Sequence, residues 1–209
     1  MANKHPYSVH PSMRMVVDWV EQLPAKTGRS LDQWIKHIVK DGPRDEKARR
    51  DWLAKTYSLG TNTCWWLAEK ATRPESIAED TPEGYLKIAP GYVESQYEGK
   101  KGALRPIYDR LLALGLEAGE DARACPCKTM VPLFREHVFA QIKATTNTRV
   151  DLGLALGTFR PESKIPKRII DTGGKAKKDR ITHRIPISSV GEIDGLVERW
   201  LGIAYDLDA

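Results

Sequence analysis

The chain has 209 residues, 41% apolar and 29% charged, which is room for one large domain or two small ones of ordinary globular composition. No stretch approaches the roughly 18 uncharged apolar residues of a membrane span, and the opening M-A-N-K-H-P-Y lacks the apolar core of a secretory signal, so a cytoplasmic protein without a membrane partner is expected. The net charge of +5 is concentrated, because nine Lys or Arg stand against three acids between Arg160 and Arg184. That segment is either a contact for nucleic acid or another polyanion, or a solvated loop.

The first seventy residues read as short amphipathic helices. Met13 to Leu23 lines up Val16, Val17, Val20 and Leu23 beside Trp19, and Pro24 is expected to break the pattern. Ser30 with Gln33 forms a capping box. Leu31, Trp34, Ile35, Ile38 and Val39 follow at helical spacing, and Gly42 fits a stop. Ala48, Trp52 and Leu53 mark a third helix. Leu59-Gly60 is a turn, and Thr61 or Asn62 is expected to cap a fourth helix through Ala71. Most of the tryptophans here are explained by core packing in so small a unit. Trp65 and Trp66, being adjacent, cannot point the same way on a helix, so one of them is expected near the surface, available to a protein partner.

From residue 74 to 91 the pattern lapses into Pro, Gly and acids, read as a linker between a helical domain (1–73) and an α+β domain (92–209). Leu104, Ile107, Tyr108, Leu111, Leu112 and Leu116 define a helix with Pro106 in its first turn. Four strand-like runs follow, about 129–134, 138–144, 149–156 and 180–187. Ser189 and Glu192 then form a capping box for a last helix carrying Ile193, Leu196, Val197, Trp200 and Leu201. The order α-β-β-β-β-α implies an antiparallel four-stranded sheet with helices on one face.

Two sets of phrases resemble known families. L-P-A-K-T-G-R-S-L-D-Q-W-I (Leu23 to Ile35) and W-L-A-K-T-Y-S-L-G (Trp52 to Gly60) are similar to the small helical bacterial domain of unknown function 4287. L-R-P-I-Y-D (Leu104 to Asp109), T-R-V-D-L-G-L (Thr148 to Leu154) and T-H-R-I-P-I (Thr182 to Ile187) resemble domain of unknown function 5655. The two resemblances cover most of the chain. Neither implies an established activity or catalytic residues. Relatives of the second domain can occur beside predicted nuclease modules, which links the resemblance to nucleic acid by association alone.

The most informative stretch is the hairpin His137 to Leu156, whose halves both alternate apolar and polar. A loop at Thr145 to Asn147 would set Lys143 opposite Arg149 and Gln141 opposite Asp151, keeping one face apolar. Lys143, Arg149 and Asp151 would then share the polar face with Arg180 and Arg184 of the last strand. These five are the candidate anion site; the other reading is a solvated outer face. Period-two counting puts His183 with Ile181, Ile185 and Ile187 on the apolar face, as a structural histidine. No nucleophile stands out beside it, and no catalytic residue is assigned. Asp171-Thr-Gly-Gly174 lacks the phosphate-loop pattern and reads as a plain loop. Leu59-Gly60 resembles a helix-turn-helix elbow, but the following helix has few early basic residues. Cys64, Cys125 and Cys127 make neither a disulfide framework nor a good zinc site, so no metal or cofactor is expected. Three functions remain open: a non-enzymatic anion- or nucleic-acid-binding module, a protein-interaction adaptor acting through Trp65 or Trp66, and an enzyme with Asp151 and His183 as acid–base groups.

Overall fold

A computed structural model describes residues 6–159 and 164–208. Arg160 and Glu162 of the basic segment lie outside the described residues. The chain divides into two compact units: Val9–Lys87 is one, and the other takes in Tyr7 and Ser8 together with the chain from Ile88 onward.

The first unit is helical: α1 (Ser12–Thr27), α2 (Leu31–Asp41), α3 (Glu46–Tyr57) and α4 (Thr61–Thr72). Pro24 does not end α1. The helix continues for one more turn and closes on Gly28, whose φ of 77° is left-handed and whose N–H donates to Pro24 O at 2.8 Å. The Ser30–Gln33 capping box is present in both directions. Asp45 caps α3 through the Ala48 N–H. Gly60, not Thr61 or Asn62, occupies the cap position of α4, and no side chain caps that end. Leu23, Trp34, Ile38, Leu53, Cys64 and Leu67 form the core. Lys70 is buried there, with Nζ 2.7 Å from Asp80 Oδ2 and 3.0 Å from Ser76 O. A lysine so deep is tolerated because its ammonium is matched by acceptors.

The stretch expected to be a linker is helical. It holds a 3-10 helix, Pro74–Asp80, and the greater part of α5 (Pro82–Gln96), and the division between the units falls inside α5. Pro90 sits within α5, so the Pro and Gly content that suggested a linker is absorbed by helix.

In the second unit α6 (Arg105–Glu117) precedes the strands β1 (Arg123–Ala124), β2 (Val131–Phe134), β3 (Val138–Ala144), β4 (Val150–Leu154), β5 (Ile170–Asp171) and β6 (His183–Ile187), with α7 (Gly195–Asp206) last. The sheet has six strands rather than four, in the order β1-β2-β3-β4-β6-β5, and its pairings are antiparallel. The two extra strands are pairs of residues, too short for alternation to reveal. Residues 140, 142 and 144 of β3, 150, 152 and 154 of β4, and 185 and 187 of β6 join α6 and α7 in one apolar core. The helices therefore cover one face of the sheet. The last helix is capped by Asp194, which accepts from the N–H groups of Leu196 and Val197. Ser189 and Glu192 instead close a separate 3-10 turn, Val190–Glu192.

The opposite face is tight at Gly153. A β-carbon there would meet Gln141 Cγ and Ile181 Cγ2, each at 2.8 Å. Ile181 therefore lies over this face and not with Ile185 and Ile187, because regular alternation begins only at His183. Gly153→Ala should destabilise the chain by about 1–3 kcal/mol through overpacking, read as a lower urea midpoint with an unchanged slope.

Candidate functional site

The hairpin register differs from the expected one by two residues. Lys143 pairs with Asp151, Ile142 with Leu152 and Ala144 with Val150, so Lys143 does not face Arg149. A shift of two keeps every side chain on its expected face while replacing a like-charge pair by an opposite-charge one. The loop is correspondingly longer, and Thr146 N–H closes it on Arg149 O at 3.3 Å.

On the face away from α6 and α7 two cross-strand rows follow. Gln141, Gly153 and Arg184 form one; Lys143, Asp151 and Pro186 form the other. Asp151 is buried at their centre, 9% exposed. Its Oδ1 accepts from Arg184 Nη1 at 2.9 Å, and its Oδ2 accepts from Arg149 Nη2 at 3.4 Å. Arg149 Nε lies 3.0 Å from Oδ1 but is not aligned to donate to it. A carboxylate with this little water needs such partners. The arginine side chains remain 32% and 31% exposed, and each guanidinium has more N–H donors than Asp151 can take. Two guanidinium groups on one carboxylate, with Lys143 at the cross-strand position, leave a net positive face.

Arg180 does not join this group. It precedes β6, donates from Nε to Val138 O at 2.8 Å, and pairs with Asp208. Val138 lies five residues along β3 from Lys143, or about 17 Å of strand. The Asp208 side chain is 1% exposed and also accepts from the His137 N–H at 2.8 Å, with His137 Nδ1 at 3.2 Å. This carboxylate draws Arg180 away, and nothing local in the sequence links residues 180 and 208. Together they border a hollow of about 160 Å³ that includes Thr158 and Asp179.

The basic segment is sorted by residue type. Arg168 pairs with Asp194 at 2.8 Å, so Arg168, Arg180 and Arg184 all turn to carboxylates. Lys164, Lys167, Lys175, Lys177 and Lys178 are exposed. The last three sit on one turn, closed by Lys177 N–H to Gly174 O at 3.0 Å and Lys178 N–H to Lys175 O at 3.2 Å. In the preceding glycine stretch the Gly173 N–H is already taken by Asp171 Oδ1 at 2.7 Å.

His183 is half-buried, with Nδ1 2.9 Å from Thr182 Oγ1. Burial lowers its pKa, opposed by nearby Asp171. It pairs with Leu154, whereas Asp151 pairs with Pro186, so the two lie on opposite faces of the sheet and cannot form one acid–base site. Burial also raises the thiol pKa of Cys125, to about 12, and that of Cys127. Both therefore stay protonated and are poor nucleophiles or metal ligands.

In the helical unit the two tryptophans separate as their adjacency requires. Trp65 is 56% exposed, with the Arg50 guanidinium 4.1 Å from its ring centroid. Trp66 packs edge-on against Trp19 at 4.5 Å and donates from Nε1 to Asp80 Oδ2 at 2.9 Å. Beside it is an apolar hollow of about 310 Å³ lined by Met15, Val16, Trp19 and Trp66.

Among the described residues no helix is long and apolar enough to cross a membrane, and no three His, Cys, Asp or Glu side chains gather as metal ligands would. No curated protein and no solved structure matches the chain. One family does, described as Domain of unknown function (DUF5655), over residues 93–208. That span takes in α6, all six strands, α7 and both carboxylate–arginine clusters. It is more than half of the sequence, and the chain belongs to the DUF5655 family.

Proposed function

We propose that the second unit is a binding module for the phosphate backbone of nucleic acid, working through the Asp151 face and the lysine turn at 175–178. The observation that carries this reading is the convergence of Arg149 and Arg184 on one buried carboxylate, with Lys143 across from it. Asp151 holds both guanidinium groups in fixed geometry while leaving donors free, which is how arginine recognises phosphate oxygens. The exposed lysines add charge that is long-range and not base-specific. In this reading the chain works in a bacterial cytoplasm, and the helical unit is a member of domain of unknown function 4287.

A second reading rests on Trp65. Its indole is more than half exposed with the Arg50 guanidinium over the ring, and an exposed tryptophan beside an arginine is the composition of a protein-docking surface. The helical unit would then act as an adaptor.

Each reading has its own measurement. Titration of a short fluorescent DNA duplex should show affinity falling steeply with salt. Lys143→Glu combined with Lys175→Gln and Lys177→Gln should weaken binding and flatten the log–log salt slope by roughly 0.9 for each phosphate that is no longer neutralised. Unchanged binding would remove this surface from consideration. For the adaptor, Trp65→Ala should leave stability within about 0.5 kcal/mol of the parent while abolishing retention of a co-purifying protein. Trp66→Ala should instead cost about 2–4 kcal/mol, because it removes area packed on Trp19 and one of the two donors to Asp80 Oδ2. Equal losses from the two variants in urea denaturation would contradict the separation of roles.

A further inference from the structure

We propose that Tyr57 is an activated phenol that accepts an acyl group from a small activated ester, with His37 as its general base and Asp41 as the carboxylate that orients the base. The three form one hydrogen-bonded chain inside the helical unit. His37 and Asp41 stand one turn apart on α2, with His37 Nδ1 2.8 Å from Asp41 Oδ2. On the other side of the ring, Nε2 is hydrogen-bonded to the Tyr57 hydroxyl at the end of α3.

The direction of the protons follows from the partners. A carboxylate has no proton to donate, so Nδ1 carries the hydrogen. In the neutral ring Nε2 then holds the lone pair, and the Tyr57 hydroxyl donates to it. Nucleophile, base and orienting acid in that sequence make up the arrangement that activates a hydroxyl. The base is within reach of solvent, since the side chains of His37 and Asp41 are 21% and 46% exposed.

The surroundings hold this geometry. Trp34 and Trp52 pack edge-on against the Tyr57 ring, with centroids at 5.0 Å and 5.3 Å, which restricts its rotation. Trp34 is itself anchored by Nε1–H to Thr27 Oγ1 at 2.8 Å. The guanidinium carbon of Arg29 lies 5.3 Å from the Tyr57 ring centroid and 4.8 Å from that of Trp34. A positive charge over the ring lowers the cost of phenolate character on Tyr57.

The step balances with the groups present. Tyr57 Oη attacks the acyl carbonyl carbon as its proton moves to His37 Nε2. The bond from that carbon to the leaving oxygen then breaks, and the proton passes from Nε2 to the departing oxygen. The products are O-acyl Tyr57 and the free alcohol or phenol.

The test uses the full chain and p-nitrophenyl acetate, following p-nitrophenolate release and locating the acetyl group by peptide mass spectrometry. Tyr57 should be acetylated well ahead of other half-exposed tyrosines such as Tyr92, and Tyr57→Phe should remove the fast phase. His37→Gln should slow Tyr57 acetylation by about 10²-fold or more, as expected for loss of a general base. Asp41→Asn, on the exposed side of the ring, should slow it while leaving the melting temperature close to the parent, so the test survives if His37→Gln does not fold. A purely structural clamp between α2 and α3 would lower melting temperatures without altering the rate at Tyr57. That result, or acetylation of Tyr57 no faster than of Tyr92, would overturn the proposal.

Discussion

The second unit is organised around a carboxylate that must not be left alone. Asp151 sits on β4, flanked by β3 and β6, and is nearly dry. Removing an ionised carboxylate from water costs several kcal/mol unless cations replace the solvent. Arg149 supplies one from the end of the β3–β4 loop and Arg184 another from β6, which brings β6 beside β4 and not at an edge. The same requirement favours the register with Lys143 across from Asp151 over the one that sets two cations face to face. One side chain thus couples loop length, strand order and the charge of the open face.

The other face is decided by apolar area. Alternate residues of β3, β4 and β6 meet Ile107, Tyr108 and Leu111 of α6, and Val197, Trp200 and Leu201 of α7. The helices supply burial, and the opposite face carries the charged side chains. Gly153 marks where that charged face is itself packed, under Gln141 and Ile181. The exposed part is therefore the strip around Arg149, Arg184 and Lys143 and not the whole sheet.

Carboxylates sort the remaining cations in the same way. Asp208 captures Arg180, and His137 approaches the same carboxylate. Asp194 captures Arg168. The lysines, whose long stems hold an ammonium in water at little cost, stay outside. In the helical unit Lys70 is the exception, held inside by Ser76 and Asp80. Its partners come from the segment after α4 that reads as a linker by composition, and they show why that segment is ordered.

The sequence by itself determined whatever repeats with a short period. Helices at 3.6 residues, strands at two, the Ser30 capping box, the separation of Trp65 from Trp66 and the two faces of the central hairpin are all local patterns. The spacing of His37 and Asp41, four apart on one helix, is likewise local, whereas their meeting with Tyr57 is not. Only the tertiary structure decided what depends on residues distant in the chain. It chose a register shifted by two, which no alternation pattern can distinguish because parity is unchanged. It added two strands too short to alternate. It moved Arg180 to Asp208, split Asp151 from His183 across the sheet, and brought Tyr57 to His37. The physical reason is the same throughout: periodicity says which way a side chain points, while the cost of leaving a buried charge or polar group unpaired selects which distant partner it meets.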